Sequence, residues 1–234
     1  MLFLLNWISI SPVLQTLDEL KLIISEFNVI AGEVKEVVII GNSIRQHGKA
    51  PQIGWNNTCG MAATSQDRDY VHVLYKKICE KLAKSQKDAP KLSLPGGVAE
   101  KDFSKWNAAV TQNADIIIVQ LGDNFRNPVT VEKLQMPYEA MLKAFKGDRN
   151  PILICVSNWG GGKMSQLIGD AAKNQGAGFV PLEKLAADPQ NKAQSEGHFS
   201  HGGVNWHPGD RGMAAIADAI WLVLEPELDK AIAK

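Results

Sequence analysis

The sequence predicts an α/β fold: a three-layer α/β/α sandwich around a mainly parallel sheet. Two observations support this prediction. From Val34 onward, short uninterrupted apolar runs alternate with longer amphipathic stretches, and many residues of the short runs are β-branched. Parallel strands that are covered by helices on both faces have such runs, and a helix connects each strand to the next. With 234 residues, 45% of them hydrophobic, the chain can bury one core, so one domain is expected over residues 34–234.

Each strand is predicted from a run whose interior carries no charged residue. Four runs are continuously apolar, and a fifth, at residues 91–94, is less so. Together they predict a flavodoxin-like sheet of about five strands, whose ligand site lies at the carboxyl edge. The predicted strands are residues 36–41, 91–94, 115–120, 152–156 and 178–181.

The longer stretches between the strands are predicted to form amphipathic helices. In the first of them, Val71, Leu74, Ile78 and Leu82 recur at intervals of three or four residues. This spacing places them on one face of a helix, toward the sheet. The predicted helices are residues 67–84, 131–145, 163–175 and 209–224.

Residues 1–33 do not follow the alternation and are expected to form a separate amino-terminal segment, interpreted as the remnant of an upstream module. The opening run MLFLLNWISISPV is apolar. It has neither the cationic start nor the small-residue cleavage site of a signal peptide, and it is too short to span a bilayer. We therefore expect no membrane association. A secreted or periplasmic location remains open if a native leader is missing, and a cytoplasmic location otherwise.

Charge and cysteine content exclude several classes of function. Lys and Arg together number 25, as do Asp and Glu, so the formal net charge is zero. Without a basic run, nucleic acid is not an expected partner. The cysteines Cys59, Cys79 and Cys155 are odd in number and form no CxxC pair, so neither a disulfide framework nor a zinc site is predicted. No cofactor and no metal are expected, and oligomeric state is left open.

Polar residues follow two of the predicted strands and precede the last helix. They are Gly41-Asn-Ser-Ile44, Gly122-Asp-Asn124 and Asn205-Trp-His-Pro208. Because parallel strands end at the same edge of a sheet, segments that are distant in sequence are expected to meet there. The convergence of these three segments predicts a catalytic or binding site.

These segments resemble the conserved blocks of GDSL/SGNH hydrolases. Residues 41–44 resemble the GDS(L/I) nucleophile block, residues 122–124 the GxN block, and His207-Pro208 the closing HP block. A fourth, glycine-centred segment, GWNNTCGMAA at residues 54–63, resembles the family's remaining block in a bacterial subgroup of carbohydrate esterases. The resemblance covers residues 34–224 and implies a serine esterase.

The resemblance implies a role for each matching residue. Ser43 would be the nucleophile and His207 the general base, since a serine hydroxyl attacks only when a nearby imidazole accepts its proton. Three donors would stabilise the oxyanion: the Ser43 amide, the Gly60 amide and the Asn124 side chain. Each such donor is typically worth about 3 kcal/mol when buried.

The sequence departs from the family pattern at two positions. Val204 stands where the family has the Asp that orients the catalytic histidine, and valine cannot do so. Either a Ser–His dyad operates or another acid substitutes, with Glu196 and Asp210 as the nearest carboxylates. Asn42 replaces the usual Asp before the nucleophile and keeps nearly the same shape and hydrogen-bonding capacity.

Other residues near these segments could contact substrate. Each has a simpler interpretation, namely core packing for the aromatic residues and a solvated loop for His47. His198 and His201 are rival bases, and a metal site with His207 is a further alternative that lacks a completing carboxylate or cysteine. The candidate contacts are Asn42, His47, Trp55, Phe125, Trp159 and Trp206.

The sequence thus predicts hydrolysis of a carboxylic ester through a serine acyl-enzyme. The acyl group is expected to be short, such as an acetyl group, and in one alternative the alcohol is a carbohydrate. The expected partner is a small-molecule or carbohydrate ester. Two alternatives remain. Val204 leaves open a carbohydrate-binding or scaffold module with little turnover, and exclusion of water from the cleft would favour acyl transfer to another hydroxyl.

Overall fold

At the centre of the molecule lies a five-stranded, entirely parallel sheet with strand order β2-β1-β3-β4-β5. The structure is a computed structural model and describes residues 33–96, 98, 100, 103–125 and 130–233. The amino-terminal segment predicted over residues 1–33 lies, except for Glu33, outside the described residues. The strands are β1 Glu36–Gly41, β2 Lys91–Ser93, β3 Ile116–Gln120, β4 Ile152–Val156 and β5 Gly178–Val180.

Helices cover both faces of the sheet, which confirms the predicted three-layer sandwich. Short 3-10 turns lie at Pro51–Ile53, Gln66–Arg68, Ala108–Thr111, Val131–Leu134 and Pro189–Asn191. None of the helices in the described part of the chain is long and apolar enough to cross a membrane. The helices are α1 Tyr70–Leu82, α2 Gln135–Lys146, α3 Lys163–Asn174, α4 Glu183–Ala187, α5 Ala193–Glu196, α6 Gly202–Asn205 and α7 Asp210–Ile232.

The central strands are buried on both faces, as their continuous apolar runs predict. In β1, Val37 and Ile39 pack into the core beneath α1 and α7. Val38 and Ile40 point the other way, into the core beneath α2 and α3. Because successive side chains of a strand alternate between faces, one apolar run supplies both cores.

Helix α1 begins at Tyr70, later than the predicted start, because Asp69 caps it. The Asp69 side chain accepts a hydrogen bond from the His72 amide at 2.8 Å. This contact satisfies one of the amides that the first turn of a helix leaves unpaired. The predicted apolar stripe from Val71 to Leu82 is buried.

Helix α7 extends beyond the predicted end at residue 224. Leu228 and Ala231 continue its buried face after Pro226, a residue type that disfavours helix interiors. At its start, both carboxylate oxygens of Glu196 accept main-chain amides, those of Asp210 and Arg211, each at 3.0 Å. A carboxylate at this position also interacts favourably with the positive end of the helix dipole.

The start of α7 packs so closely that one glycine has no room for a side chain. A Cβ at Gly212 would lie 2.1 Å from the Asn191 carbonyl oxygen and 2.8 Å from Pro208 Cβ. We expect Gly212→Ala to lower the free energy of unfolding by about 1–3 kcal/mol, as overpacking does, measured by urea denaturation. The matched control is Gly202→Ala in α6, where a Cβ meets nothing within 4 Å. Equal stability of the two variants would contradict the statement that a side chain at Gly212 has no room.

Candidate active site

Ser43 lies in a turn that directly follows β1. The buried Arg45 holds this turn, since its guanidinium donates to the Gly41 carbonyl at 3.1 Å and to the Pro95 carbonyl at 2.8 Å. A Cβ at Gly41 would lie 2.7 Å from Arg45 Cβ and 2.9 Å from the Gln120 carbonyl oxygen. Glycine is therefore required where the strand turns toward the nucleophile.

His207 meets Ser43 although 164 residues separate them in sequence. The distance from Ser43 Oγ to His207 Nε2 is 2.8 Å, and that from His207 Nδ1 to the Gly203 carbonyl oxygen is 2.7 Å. A carbonyl can only accept, so Nδ1 carries the proton and donates it to Gly203. Nε2 is then the acceptor for the Ser43 hydroxyl, which is the tautomer that a general base needs.

No carboxylate among the described residues takes the place of the missing Asp beside His207. Val204 is completely buried. Glu196 caps α7 as described above, and Asp210 accepts the amide and hydroxyl of Thr64 at 2.8 and 2.6 Å. Both acids that the sequence offered as substitutes are thus engaged elsewhere.

The surroundings of His207 favour its neutral form. Burial lowers the pKa of its imidazole to about 4, from an ordinary value of 6.5. The hydrogen bond to Gly203 opposes this effect, and the nearby charge of His47 adds to it. The imidazole is therefore unprotonated at neutral pH and able to accept a proton.

A polar cleft of about 620 Å³ opens beside Ser43. It brings together four residues predicted from the sequence, Asn42, Ser43, His47 and Asn124. Asn124 is exposed and lies in the loop after β3. Its side chain is thus open to the cleft that Ser43 also lines.

Glu100 also lines the cleft and was not predicted. It is buried, and its carboxylate accepts hydrogen bonds from the Asn124 main-chain amide at 2.6 Å and from the Asn42 side chain. Burial raises the pKa of Glu100, while these hydrogen bonds oppose the rise. Glu100 lies in a connecting segment beside Lys101 and Asp102, a pattern that is typical of a solvated loop, so the sequence carries no signal for it.

Asp123 joins two loops at the carboxyl edge of the sheet. Its carboxylate accepts from Gln120 Nε2 and from the Trp159 amide, each at 2.7 Å. Burial raises the pKa of Asp123 to about 6, and the charge of Glu100 contributes to the rise. Asp123 thus connects the loop that carries Asn124 to the loop after β4.

The structure does not place Gly60 as an oxyanion donor. Its amide donates to Asp69 Oδ2 at 3.2 Å, and it does not line the cleft. A Cβ at Gly60 would lie 2.6 Å from the Ile44 carbonyl oxygen. Glycine is needed here because the chain packs against the nucleophile turn, and this corrects the role predicted for its amide.

Trp55 and Trp159 belong to the core, which corrects their prediction as substrate contacts. Their exposed fractions are 0% and 1%. Trp55 Nε1 donates to the His47 carbonyl at 3.3 Å, and Trp159 Nε1 donates to the Trp206 carbonyl at 3.1 Å. Because these partners satisfy the indole N–H groups internally, both rings can be buried.

The remaining candidates lie at the rim or outside the cleft. Trp206 is 40% exposed, and its ring stands perpendicular to His207 with 5.4 Å between centroids. Phe125 packs against the core beneath α2 and α3. His198 and His201 are exposed, and no group of three or more His, Cys, Asp or Glu residues in the described ranges could hold a metal ion.

Comparison with known proteins identifies the class of fold. No protein-family model matches the sequence, and no curated protein sequence is significantly similar to it. Among solved structures, the chain is similar to a two-domain esterase (CEX) active on acetylated mannans, co-crystallised with mannopentaose. The TM-score is 0.55 and the identity 19%, over 93% of this chain and 54% of that one. The chain therefore spans about half the length of that esterase.

Two further structures match over nearly their whole length. The psychrotrophic esterase EstA from Pseudoalteromonas sp. has a TM-score of 0.51 at 12% identity, over 83% of this chain and 99% of EstA. TesA has a TM-score of 0.51 at 14% identity, over 82% of this chain and 99% of TesA. The chain therefore shares its fold with these three proteins. This agrees with the α/β/α fold that the sequence predicts.

The environment of His207 predicts an unusual titration. We expect its imidazole resonances to titrate with a midpoint of about pH 4, since burial disfavours the charged form. The measurement is an NMR pH titration of labelled histidines, with His207→Gln used to assign the signal. A midpoint near the ordinary value of about 6.5 would show that His207 is hydrated in solution.

Proposed function

We propose that this protein is a carboxylic ester hydrolase that works through a serine acyl-enzyme, with Ser43 as nucleophile and His207 as general base. The observation that carries the proposal is the chain of contacts from Ser43 Oγ to His207 Nε2, 2.8 Å, and from His207 Nδ1 to the Gly203 carbonyl, 2.7 Å. The enzyme is then a Ser–His dyad in which a main-chain carbonyl orients the base. That the similar folds belong to esterases supports ester hydrolysis.

In the first half-reaction, Ser43 Oγ bonds to the ester carbonyl carbon while its proton passes to His207 Nε2. The carbonyl π electrons move to oxygen. When the tetrahedral intermediate collapses, the bond to the alcohol breaks, and the alcohol leaves with the proton from Nε2. In the second half-reaction, water gives a proton to Nε2 and attacks the acyl carbon, and the acid is released as Ser43 Oγ regains the proton.

The Asn124 side chain and the Ser43 amide are the proposed oxyanion donors. Both groups are uncharged, so they stabilise the developing charge without titrating themselves. With the Gly60 amide engaged by Asp69, this stabilisation falls to the Ser43 amide and the Asn124 side chain.

A carbonyl partner has consequences for the rate. It holds the correct tautomer, which is one function of the usual carboxylate, but it supplies no full charge to stabilise the imidazolium. Burial adds to this cost, because it lowers the pKa of His207. We therefore propose that esters with good leaving groups, which need little proton donation, are hydrolysed much faster than simple alkyl esters.

We propose a short acyl group on a small or carbohydrate alcohol as the substrate class. The cleft beside Ser43 is open and has polar walls that include Asn42, Gln46 and His47, groups that pair with sugar hydroxyls. The similar two-domain esterase is active on acetylated mannans. The GWNNTCGMAA segment of this chain supports the same substrate class.

Ser43→Ala and His207→Ala should each lower kcat for p-nitrophenyl acetate by at least about 10³-fold, because nucleophile and base act as a unit. His198→Ala, an exposed histidine, is the control and should stay within about twofold of the parent. Covalent labelling by a fluorophosphonate, detected by mass spectrometry, should be absent in Ser43→Ala, greatly slowed in His207→Ala and unchanged in His198→Ala. Turnover that survives both substitutions would favour a binding module, and acyl transfer to added alcohols in preference to water would indicate a transferase.

If the Gly203 carbonyl orients His207, substitution of the nearby acids Glu196 and Asp210 should have little effect on the rate. Glu196→Gln should lower the free energy of unfolding by about 0.5–2 kcal/mol, since Glu196 caps α7. It should leave kcat within about tenfold, and so should Asp210→Asn. Removal of a true triad acid costs about 10⁴-fold. A loss of that size in either variant would identify the acid that orients His207.

A further inference from the structure

Glu100 links the two loops that meet at the cleft. It follows β2, yet its carboxylate accepts from Asn42, which precedes the nucleophile, and from the Asn124 main-chain amide at 2.6 Å. Interactions with the Gly122 amide and the Asn124 side chain also act to lower its pKa. Donors from the loops after β1 and β3 thus converge on one carboxylate.

The position of Glu100 disfavours the ionised form of a carboxyl group. Glu100 is 4% exposed, and burial raises its pKa more than its hydrogen bonds lower it. A neutral side chain would fill the same space at less cost. A carboxylate differs from an amide in that both oxygens only accept, with about four lone-pair sites. It is therefore the side chain that can receive several N–H groups from two loops at once.

We propose that Glu100 is a positioning residue, which sets the distance between Ser43 and the oxyanion donor Asn124. An amide NH2 has two protons. One of these protons points at Glu100 and orients the Asn124 side chain. The second proton is then left to donate to the oxyanion. The link through Asn42 holds the nucleophile turn to the same anchor. This inference rests on the proposed esterase function for its effect on rate, but not for the hydrogen bonds themselves.

Glu100→Gln is the informative substitution, because a glutamine NH2 would face at least one of the converging N–H groups. We expect kcat for p-nitrophenyl acetate to fall about 10–100-fold with KM within about threefold, since loss of an oxyanion donor costs about 10²–10³-fold. In an Asn124→Ala background, the same substitution should lower kcat by a smaller factor, since only the link through Asn42 is then left to lose. Equal losses in both backgrounds, a higher KM alone, or no loss would overturn the proposal.

The matched control is Asp115→Asn at the opposite edge of the sheet. Asp115 is 1% exposed and accepts the Lys35 and Glu36 amides at 2.6 and 3.0 Å. Its substitution should lower stability in the same way but leave kcat within about twofold. Should Asp115→Asn lower kcat as much as Glu100→Gln, the Glu100 effect would be general destabilisation.

A measurement on the unaltered protein separates this inference from the proposed function. NMR titration of Glu100 should shift the Asn124 amide and the Asn42 side-chain NH2 signals with a common midpoint, whether or not the protein turns over an ester. Absence of that shared midpoint would overturn the link. If the shared midpoint is found while Ser43→Ala retains full turnover, the positioning contact stands and the esterase mechanism fails.

Discussion

The parallel, doubly covered sheet is the constraint on which the site depends. Its register pairs Gly41 with Gln120 and Gln120 with Val156, so β1, β3 and β4 end at one level. The loops that leave these ends are forced together, however far apart they lie in sequence. Helices cover both faces of the three central strands, and polar groups reach this cleft from the carboxyl edge. Ser43 and Asn124 are therefore neighbours as a consequence of the strand register.

The same burial means that each loop needs internal partners for its polar groups. Arg45 supplies donors to the carbonyls around the nucleophile turn, while Asp69, Glu100 and Asp123 supply acceptors for main-chain amides. A buried amide without a partner costs about as much as a lost hydrogen bond. These carboxylates therefore serve as acceptors for loop amides.

His207, the proposed base, is held by a main-chain carbonyl and not by an acid. A carbonyl can hold Nδ1–H of His207 because α6 brings the Gly203 carbonyl oxygen to within 2.7 Å of Nδ1. The next residue, Val204, is buried in the core. The arrangement secures geometry without burying another charge next to the imidazole. A carbonyl stabilises the imidazolium less than a carboxylate does. This difference matters most when the leaving group needs a proton.

The apolar pattern predicted each strand to within a residue at each end and the four long helices to within a few residues at most boundaries. The polar segments predicted that Ser43, His207 and Asn124 lie close together. Apolar periodicity and polar residues after strands are local signals, so they can be read along the chain. Only the tertiary structure decided what pairs with these residues. The Gly203 carbonyl belongs to no side chain, and Glu100 has the sequence surroundings of a solvated loop. Trp55 lies in the core and not in the cleft, and its indole N–H donates to the main-chain carbonyl of His47. Three-dimensional packing alone brings these two groups together.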